Sequence, residues 1–549
     1  MEFLNNIAPR EYQEKIFEKC TEKNCLVVLP TGIGKTLIAL MLAIHRMKKF
    51  PGQKILFLAP TKPLAEQHLI YFKKNLPELF AEMDLFTGKV ESEKRKKIWQ
   101  NADIIFSTPQ CIANDLKKNL YDLKEVCLLV EDEAHRCIKN YDYNFVAREY
   151  ILQSQNPRIL GLTASPGSET NKILEICKNL SIEHVEIRTR ESEDVKQYLQ
   201  ELEIEKIKVE FPSEFEEIRQ VLKKLFENYV EELRTRRVLF TPATKTELLK
   251  LQKKMSMSLA GQNKNFNYML AMSSCAQAIK IQHGLELLET QTLDSFNSYL
   301  KKIFEQASKK QSKGVVKLVS KPEFNFVYIR TNELLSKNQE HPKLKKLQEI
   351  VQNEKKENPK LKIIIFTQFR ETATIISKGL NKIPEINSKV FVGQAKKTST
   401  NNKGEDTTTG LNQKQQRKII EEFSEGKINV LVATSIAEEG LDIPEVNAVI
   451  FYEPIPSAIR SIQRRGRTAR LMKGKLIMLI TKNTRDETFY YVSRSREKKM
   501  EKIIHSINEK LNQKENKVVK KTEEQELKEN FKKTEEQKKE IKDLQKKLI

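Results

Sequence analysis

The sequence has no long apolar run and few cysteines, and its first residues do not have the pattern of a secretion signal. No stretch of its 549 residues approaches the ~18 apolar residues that a membrane-spanning helix needs. The seven cysteines include no Cys-x-x-Cys pair, which argues against a zinc site and against a small disulfide framework. Residues 1–6 lack the charged and then apolar pattern of a secretion signal. We therefore expect an intracellular protein with no membrane partner, cytoplasmic and nucleoid-associated, or nuclear if the source is eukaryotic.

Acidic residues are scarce in one part of a basic chain. The 97 Lys and Arg residues exceed the 74 Asp and Glu residues, so the net charge is +23. Residues 234–330 contain 17 basic and 6 acidic side chains, and residues 494–549 contain 18 and 12. Solvated lysine-rich helices would explain the excess of basic residues at 494–549. The shortage of acidic residues at 234–330 favours a face that binds nucleic-acid phosphates.

Short apolar runs alternate with helix-like segments at both ends of the chain. Buried strands are predicted at residues 24–29, 54–59, 103–107, 126–131 and 158–162, and again at 362–367, 388–392, 429–433, 448–452 and 476–480. Between about 213 and 340 the spacing is helical, for example at Ile218, Leu222, Leu225, Phe226, Tyr229 and Leu233. After Asn483 the chain reads as a helix whose apolar positions are too broken for a coiled coil. The pattern predicts two α/β halves around a basic helical insertion, with a helical tail.

A phosphate-binding loop follows the first predicted strand. It consists of Pro30, Thr31, Gly32, Ile33, Gly34, Lys35 and Thr36. Such a loop points backbone N–H groups at phosphate oxygens beside a helix N-terminus. Lys35 would reach the β- and γ-phosphates and the Thr36 hydroxyl would bind Mg²⁺. The motif is imperfect, because Leu29 stands where its first glycine belongs, so a chance match stays open for the loop alone.

Two carboxylates end the fourth predicted strand. Asp132 would hold the Mg²⁺, directly or through water, and Glu133 would polarise the attacking water. An apolar run that ends in acids is often only a strand entering a solvated turn. Together with the phosphate loop in the same α/β half, however, the pair predicts an enzyme that hydrolyses ATP with Mg²⁺.

An arginine-rich segment lies in the second α/β half, at residues 463–470. Its sequence is Gln-Arg-Arg-Gly-Arg-Thr-Ala-Arg, and arginines three residues apart share one side of a helical turn. Planar guanidinium groups suit the charge that develops on a γ-phosphoryl group, as in an arginine finger. A nonspecific basic loop is the alternative. Arginines supplied from this half would make hydrolysis depend on domain closure.

In chain order, the motifs resemble those of a superfamily 2 helicase of the DEAH-box type over about residues 7–490. They lie at residues 30–36, 59–62, 108–110, 132–135, 163–165, 366–369, 434–444 and 463–470. Residues 392–395, 434–444 and 451–470 are similar to archaeal Hef and to the Fanconi anaemia group M translocase. The resemblance implies RecA-like P-loop domains at 1–205 and 346–492. It also implies a thumb-like insertion for duplex or branched DNA at 206–345 and a Lys/Glu-rich helical tail at 493–549.

The resemblance also implies roles for single residues. At the ATP site, Arg10 and Gln13 would recognise adenine, and Gly440 and Asp442 would be ribose-side and coupling positions. Arg467 and Arg470 would be arginine fingers beside a catalytic Gln463. His135, Thr163 and Ser165 would couple hydrolysis to movement. Contacts with one nucleic-acid strand, mainly to phosphate and sugar, are implied for Thr61, Lys62, Gly88, Thr108, Thr367, Gln368 and Thr434. No motif fixes the basic face of the insertion, for which we expect Arg234, Arg236, Arg237, Lys253 and Lys254.

The function implied is that of a 3′→5′ ATP-dependent DNA helicase or translocase that remodels stalled forks and Holliday junctions. Full-length Hef carries a nuclease of the XPF kind, but this sequence has no Gly-Asp pair or Glu-Arg-Lys triplet, and its last glycine is Gly474. We therefore expect DNA as the partner, no nuclease activity in this chain, and a separate nuclease or sliding-clamp subunit as a further partner.

Two alternatives stay open. A duplex-RNA translocase of the innate-sensor or Dicer type shares this core and a helical insertion, although no terminal RNA-end domain of that group is recognisable. An ATP-gated DNA-binding scaffold could recruit a nuclease subunit through the glycine-free tail.

Overall fold

A computed structural model describes most of the chain. It covers residues 3–5, 7–260, 265–393, 398–400, 406–408, 410–437, 443–465, 468, 473–500, 502–504, 506–507 and 509, without the side chains of 398–400, 406–408, 458 and 459. The chain forms two compact units, residues 1–197 with 495–549, and residues 198–494. None of the helices in the described ranges combines the length and apolarity that crossing a membrane requires.

The first unit is an α/β unit built on a parallel sheet of seven strands. In spatial order these are β3-β4-β2-β5-β6-β1-β7, with bounds β1 (Cys25–Val28), β2 (Lys54–Leu58), β3 (Met83–Phe86), β4 (Ile104–Ser107), β5 (Val126–Asp132), β6 (Ile159–Thr163) and β7 (His184–Ile187). The helices are α1 (Glu11–Glu22), α2 (Lys35–Lys49), α3 (Lys62–Asn75), α4 (Ser92–Asn101), α5 (Pro109–Lys117), α6 (Asp142–Gln153), α7 (Thr170–Asn179) and α8 (Glu193–Lys196), with a short 3₁₀ turn at Ala134–Arg136. Every residue of the five strands from β4 to β1 is buried, as expected for the apolar runs of a covered parallel sheet.

The second unit contains a parallel sheet of six strands. Their spatial order is β10-β13-β9-β14-β15-β8, with bounds β8 (Leu202–Val209), β9 (Ile363–Phe366), β10 (Ser388–Phe391), β13 (Val430–Ala433), β14 (Ala448–Phe451) and β15 (Gly474–Thr481). A separate antiparallel pair is formed by β11 (Thr398–Thr400) and β12 (Asp406–Thr408). Successive residues of β9, such as Ile363 and Ile364, belong to different apolar clusters. Both faces of this sheet are therefore covered.

Helices make up the rest of the second unit. A bundle is formed by α9 (Ser213–Thr235), α10 (Lys245–Ala260), α11 (Phe266–Thr290), α12 (Leu293–Ser308), α13 (Lys313–Val319) and α14 (Pro322–Ser336). It is followed by α15 (Pro342–Glu357), α16 (Arg370–Leu380), α17 (Gln413–Ser424), a 3₁₀ turn at Ser435–Ala437, and α18 (Ala458–Arg465), while residues 485–500 are also helical. The apolar positions predicted on α9 lie in one core cluster, with Phe226 partly buried against it.

The bundle is joined to the second sheet by specific polar contacts. Gln291 Oε1 accepts from the Thr367 hydroxyl at 3.4 Å, and the hydroxyls of Ser295 and Thr372 lie 3.0 Å apart. Arg485 donates to the carbonyl of Gln282 at 2.7 Å. The predicted α/β architecture, with two parallel-sheet domains and a helical bundle between them in the chain, is confirmed. The boundary predicted after residue 205 falls within β8, which pairs with β15 along its whole length.

Candidate functional site

The strand order of the first sheet sorts the predicted site residues into two groups. The neighbouring strands β5, β6 and β1 lead into Asp132 and Glu133, into Thr163 and Ser165, and into the loop 29–36. The neighbouring strands β3, β4 and β2 lead into Gly88, Thr108 and Thr61. Because all these strands are parallel, both groups lie along the carboxyl edge of one sheet, with the residues predicted for ATP on one side and those predicted for nucleic acid on the other.

The phosphate loop has the backbone that its sequence predicts. Gly34 has a φ of +85° and immediately precedes α2, whose first residue is Lys35. A side chain at Gly34 would be strained by this backbone and would also collide with the amide of Gln13. The loop therefore presents backbone and the start of a helix, as a phosphate site requires.

Helix α1 holds the loop in place. The Gln13 amide donates to the carbonyls of Ile33 and Gly34, each at 3.3 Å, and the Tyr12 hydroxyl also donates to Ile33. The Gln13 carbonyl oxygen accepts from the backbone N–H of Arg10 at 2.8 Å, which caps α1. Gln13 thus supports the loop, while adenine recognition by Arg10 and Gln13 stays a prediction.

The loop contains a polar atom that suits a phosphate ligand. The Thr31 hydroxyl oxygen is buried and has no hydrogen-bond partner among the described residues. The Lys35 ammonium group donates to the carbonyl of Leu29 at 3.0 Å. Leu29 is the residue that stands where the motif usually has its first glycine. A lysine ammonium group and an unsatisfied hydroxyl beside a helix N-terminus fit a triphosphate.

Asp132 lies in a network that keeps its carboxylate charged. Its Oδ2 is 2.8 Å from Nε2 of His68, and both side chains are buried. Burial by itself would raise the pKa of Asp132, but the hydrogen bond and charge of His68, with the charge of Lys35, hold it below its ordinary value. The Tyr143 hydroxyl donates to the backbone carbonyl of Asp132 at 2.7 Å and so fixes the strand end.

Thr36 and Asp132 fit a Mg²⁺ ion that is bound partly by the protein and partly by the phosphates of a nucleotide. Within the described ranges, His, Cys, Asp and Glu form no group of three or more that could hold a metal ion alone. Mg²⁺ in nucleotide sites is typically held by one or two protein oxygens together with phosphates and water. The Thr36 hydroxyl and the Asp132 carboxylate supply such a set.

A chain of short contacts joins Glu133 to Ser165. Glu133 has a left-handed backbone, with a φ of +53°, and its Oε2 lies 3.2 Å from Nδ1 of His135. The same nitrogen is 3.2 Å from the hydroxyl of Thr163, which in turn accepts from the backbone N–H of Ser165 at 3.2 Å. The structure thus brings together the residues predicted to couple hydrolysis to movement.

The residues predicted to contact one nucleic-acid strand in the first unit lie at loop tips and helix starts. Thr61 precedes α3, which begins at Lys62, and Thr108 precedes α5. Gly88 is exposed, and a side chain there would meet no atom within 4 Å. Backbone N–H groups at helix starts suit phosphate contacts.

In the second unit, Thr367 and Gln368 follow β9, and Thr434 follows the adjacent strand β13. The side chain of Thr367 is fully buried and bonds to Gln291 of the bundle. The backbone N–H of Gln368 donates to the buried carboxylate of Glu453. Burial raises the pKa of Glu453 to about 7, against the charges of Arg464 and Lys343, which lower it.

The arginine-rich segment is described only in part. Gln463 is buried on α18, next to Arg464, whose guanidinium group lies over the rings of Phe366 and Phe451 at 4.8 and 5.5 Å. Gly440, Asp442, Arg467 and Arg470 lie outside the described residues, so their predicted roles rest on the sequence alone.

The residues expected on the basic face of the insertion differ in their surroundings. Arg236 pairs with Glu232 at 2.9 Å, and Arg234 lies 4.0 Å from Glu231. Arg237, Lys253 and Lys254 are exposed, and no ion pair within the described part of the chain involves them. These three have the cationic groups most available to a phosphate.

Three family models match successive parts of the chain. The DEAD/DEAH box helicase model matches residues 10–173, and the helicase conserved C-terminal domain matches residues 342–472. The model for the helical bundle of candidate ATP-dependent RNA helicases matches residues 214–337.

Curated relatives cover most of the chain. A candidate ATP-dependent RNA helicase of Methanocaldococcus jannaschii is 37% identical over 91% of this chain and 61% of its own length. The ATP-dependent DNA helicase mph1 of Sclerotinia sclerotiorum is 33% identical over 92% of this chain and 42% of its own length. The mouse Fanconi anemia group M protein homolog is 31% identical over 91% of this chain and 26% of its own length. The chain thus spans less than two thirds of the length of each of these relatives.

The crystal structure of the Pyrococcus furiosus Hef helicase domain is 42% identical, with a TM-score of 0.66, and the match covers 88% of this chain and 98% of that one. The chain belongs to the Hef family of superfamily 2 helicases. The resemblance to Hef and to the Fanconi anaemia group M protein is therefore confirmed. The two helicase domains of this Hef-family chain imply ATP binding and hydrolysis.

Sequence motifs of the Hef family did not identify two residues that build the site, His68 and Glu453. His68 reaches Asp132 from α3, 64 residues earlier in the chain. Glu453 holds the backbone of Gln368 from 85 residues away. No local pattern marks either residue, although Glu453 lies within the segment 451–470 that carries the resemblance to Hef.

Proposed function

We propose that this chain is an ATP-driven DNA helicase or translocase that acts on forked or branched DNA. The observation that carries the proposal is the order of the first sheet, which lines up the ATP-type loops and the strand-contacting loops along one edge. The chain of contacts from Glu133 through His135 and Thr163 to Ser165 joins the loops that follow β5 and β6, on the side of that edge predicted for ATP. A DNA helicase relative and the Hef helicase domain support DNA as the substrate.

We propose the following roles for the chain's own residues. The loop 30–36 would bind the phosphates, Thr36 and Asp132 would hold Mg²⁺, and the bound metal would neutralise charge on the phosphates. Glu133 would orient and polarise the attacking water. His68 would keep Asp132 ionised and correctly turned. Arg467 and Arg470, with Gln463, would stabilise the charge that develops on the γ-phosphoryl group.

Further parts of the proposal follow the family resemblance. The direction would be 3′→5′, and the biological role would be the remodelling of stalled forks or Holliday junctions. A separate nuclease or a sliding clamp would be a partner of the motor. The domain limits at 1–205, 206–345, 346–492 and 493–549 are part of the same proposal.

The test is steady-state ATP hydrolysis with five additions: no nucleic acid, single-stranded DNA, forked DNA, a Holliday junction and duplex RNA. We expect the strongest stimulation with forked or four-way DNA. Lys35→Ala should lower the stimulated rate by about 100-fold or more, because it removes a cation that stabilises charge in the transition state. Fork-stimulated hydrolysis and unwinding that survive in Lys35→Ala would contradict the proposal.

A duplex-RNA translocase is the second candidate. It is favoured by the names of the Methanocaldococcus relative and of the matching helical-bundle family. Strongest stimulation by duplex RNA in the same assay would favour it and would leave the roles at the ATP site unchanged. An ATP-gated scaffold would show DNA binding with little strand separation.

A further inference from the structure

Glu453 carries a buried carboxylate next to a loop that is predicted to contact DNA. It lies two residues after the end of β14, and its side chain is fully buried. One carboxylate oxygen accepts from the backbone N–H of Gln368, and the other, Oε2, is buried without a hydrogen-bond partner among the described residues. Burial of a carboxylate costs free energy unless nearby cations compensate its charge. A side chain that only had to accept one hydrogen bond would not need that charge.

The loop after β9 is held from two directions. Glu453 binds the backbone of Gln368, and the Thr367 hydroxyl donates to Gln291 of the bundle at 3.4 Å. The next side chain, Phe369, packs against the apolar core of the bundle. Thr367 and Gln368 are also the residues of this loop that are predicted to contact one nucleic-acid strand. A strand that binds there would therefore act on a segment that is fixed to Glu453.

The arginine-rich segment reaches the same part of the second unit through Arg464. This residue lies on α18, is fully buried, and has its guanidinium group over the rings of Phe366 and Phe451 at 4.8 and 5.5 Å. Phe366 ends β9 and Phe451 ends β14, so Arg464 lies where these two strands lead into Gln368 and Glu453. The charge of Arg464 also acts on the Glu453 carboxylate and favours its ionised form.

We propose that Glu453 is a positioning residue that links the loop at Thr367 and Gln368 to α18, so that DNA bound at this loop helps to place the arginine-rich segment for hydrolysis. The inference rests on the proposed function, because it gives Glu453 a part in DNA-stimulated ATP hydrolysis. Glu453 touches neither ATP nor DNA in this role. It acts through the backbone of Gln368 on one side and through its charge on Arg464 on the other.

The strength of this link depends on the ionisation of Glu453. Burial raises the pKa of Glu453 to about 7, and the charge of Asp486 acts in the same direction, whereas Arg464 and Lys343 lower it. The adjacent Tyr452 stays protonated, because burial raises its pKa well above the ordinary value. A carboxyl group with a pKa of about 7 is about one tenth ionised at pH 6 and about nine tenths ionised at pH 8. The link should therefore strengthen as the pH rises across this range.

The experiment compares ATP hydrolysis by the wild-type full chain and by Glu453→Gln, with forked DNA, between pH 6 and pH 8. Glutamine can still accept from the backbone of Gln368, but it has no charge. We expect the variant to lower kcat by about tenfold at pH 8 and by about twofold at pH 6, because Glu453 of the wild type is mostly protonated at the lower pH. The KM for ATP and the rate without DNA should each change by less than about twofold. The ratio of the two proteins at each pH removes the effect of groups that titrate in both.

The matched control is Glu340→Gln, the same change at another carboxylate of the second unit that accepts from backbone N–H groups, those of Leu293 and His341. Its kcat should follow that of the wild type at every pH. Glu453→Asp keeps the charge and should retain the rise of kcat with pH, and it replaces Glu453→Gln as the test if that variant does not fold.

A ratio of wild type to Glu453→Gln that is equal at pH 6 and pH 8 would overturn the inference, and so would an equal loss of kcat in Glu340→Gln. Absence of the rise with pH in Glu453→Asp would overturn it as well. Failure of the proposed function is separate, because it would appear as an absence of DNA-stimulated hydrolysis in the wild type at every pH.

Discussion

His341 is a buried histidine that stays neutral in the folded protein. Its side chain is 1% exposed, begins α15 and accepts from the backbone N–H of Lys343 at 3.3 Å. Burial, with the nearby charge of Lys343, lowers the pKa of His341 to about 3. In the unfolded chain the same group has a pKa of about 6.5. Below that value the unfolded state binds the extra proton, so acid favours unfolding.

Replacement of His341 by asparagine should remove this pH dependence. Asparagine can still accept the hydrogen bond that begins α15, but it does not titrate. The pKa of His341 is lower in the folded state than in the unfolded state. Its contribution to the unfolding free energy is therefore fully present above about pH 6.5 and is lost at about 1.4 kcal/mol per pH unit below that value. Between pH 7.5 and 5.0 the wild type should lose about 2 kcal/mol more unfolding free energy than His341→Asn.

Urea unfolding of both proteins at the two pH values measures this difference. Other titrating groups contribute equally to both proteins and cancel in the comparison. A constant cost of the smaller side chain near the rings of Phe211 and Phe215 also cancels, because it is present at both pH values. Parallel pH profiles would show that His341 does not titrate between the folded and unfolded states.

Residues of the ATP site differ in how far the sequence could predict them. The loop 30–36 and the pair Asp132 and Glu133 are contiguous sets, and phosphate and metal chemistry dictate their residue types and spacing. His68 could not be predicted from its neighbours, because its contact with Asp132 depends on how α3 packs on the sheet in the finished fold. Partners that meet only through tertiary structure leave no local signal.

At the scale of elements, three strands of the two large parallel sheets escaped the search for apolar runs: β3, β7 and β8. Each lies at the edge of its sheet. β8 reads Leu-Glu-Ile-Glu-Lys-Ile-Lys-Val, and most of its residues are exposed. An edge strand has one neighbour and one solvated face, so it alternates polar and apolar residues where central strands are apolar throughout. The sequence therefore predicted the covered centre of each sheet better than its edges.

The start of the tail after residue 494 is packed against the first unit, which the sequence did not predict. The lysine-rich composition favours a solvated helix, yet Met500, Ile504 and Ile507 are each at most 3% exposed. They belong to the first unit, and the Ser165 hydroxyl donates to the sulfur of Met500 at 2.9 Å. The start of the tail thus packs beside a residue predicted to couple hydrolysis to movement.

Substitutions at Met500 should separate packing from the hydrogen bond. Met500→Ala should lower the unfolding free energy of the first unit by about 2–5 kcal/mol, because it leaves a cavity. Met500→Leu preserves the apolar volume and should cost less than about 1.5 kcal/mol. Chemical denaturation of both variants, with Lys499→Ala as an exposed control on the same helix, measures these effects. If Met500→Ala proved as stable as Lys499→Ala, the packing of this segment on the first unit would be refuted.

This packing also changes how the scaffold alternative should be tested. A deletion that starts at residue 494 would remove Met500, Ile504 and Ile507 from the first unit and would destabilise it. A pull-down with that deletion would therefore confuse loss of a partner site with loss of folded protein. A deletion that starts at residue 511, beyond the described residues, leaves those contacts in place.

At the scale of the whole molecule, charge governs the encounter with DNA. The net charge is +23, and residues 234–330 supply 17 basic against 6 acidic side chains. Cations that neutralise phosphates release counterions, so affinity falls linearly with salt on logarithmic axes. Contact with about six to ten phosphates would lower the affinity for forked DNA by about 10³- to 10⁵-fold between 50 and 200 mM salt.

The slope of that salt dependence identifies which lysines contribute. For Lys253→Ala/Lys254→Ala we expect the slope to become less steep by about two, one for each phosphate contact removed. The matched control is Lys427→Ala/Lys473→Ala, which changes the net charge equally but removes lysines already paired with Glu425 at 2.6 Å and Glu201 at 3.2 Å. Its slope should match that of the wild type, because counterion release depends on contacts and not on total charge. Fluorescence anisotropy of labelled forked DNA across a salt series measures all three slopes, and equal changes in both double variants would mean that only the overall field attracts DNA.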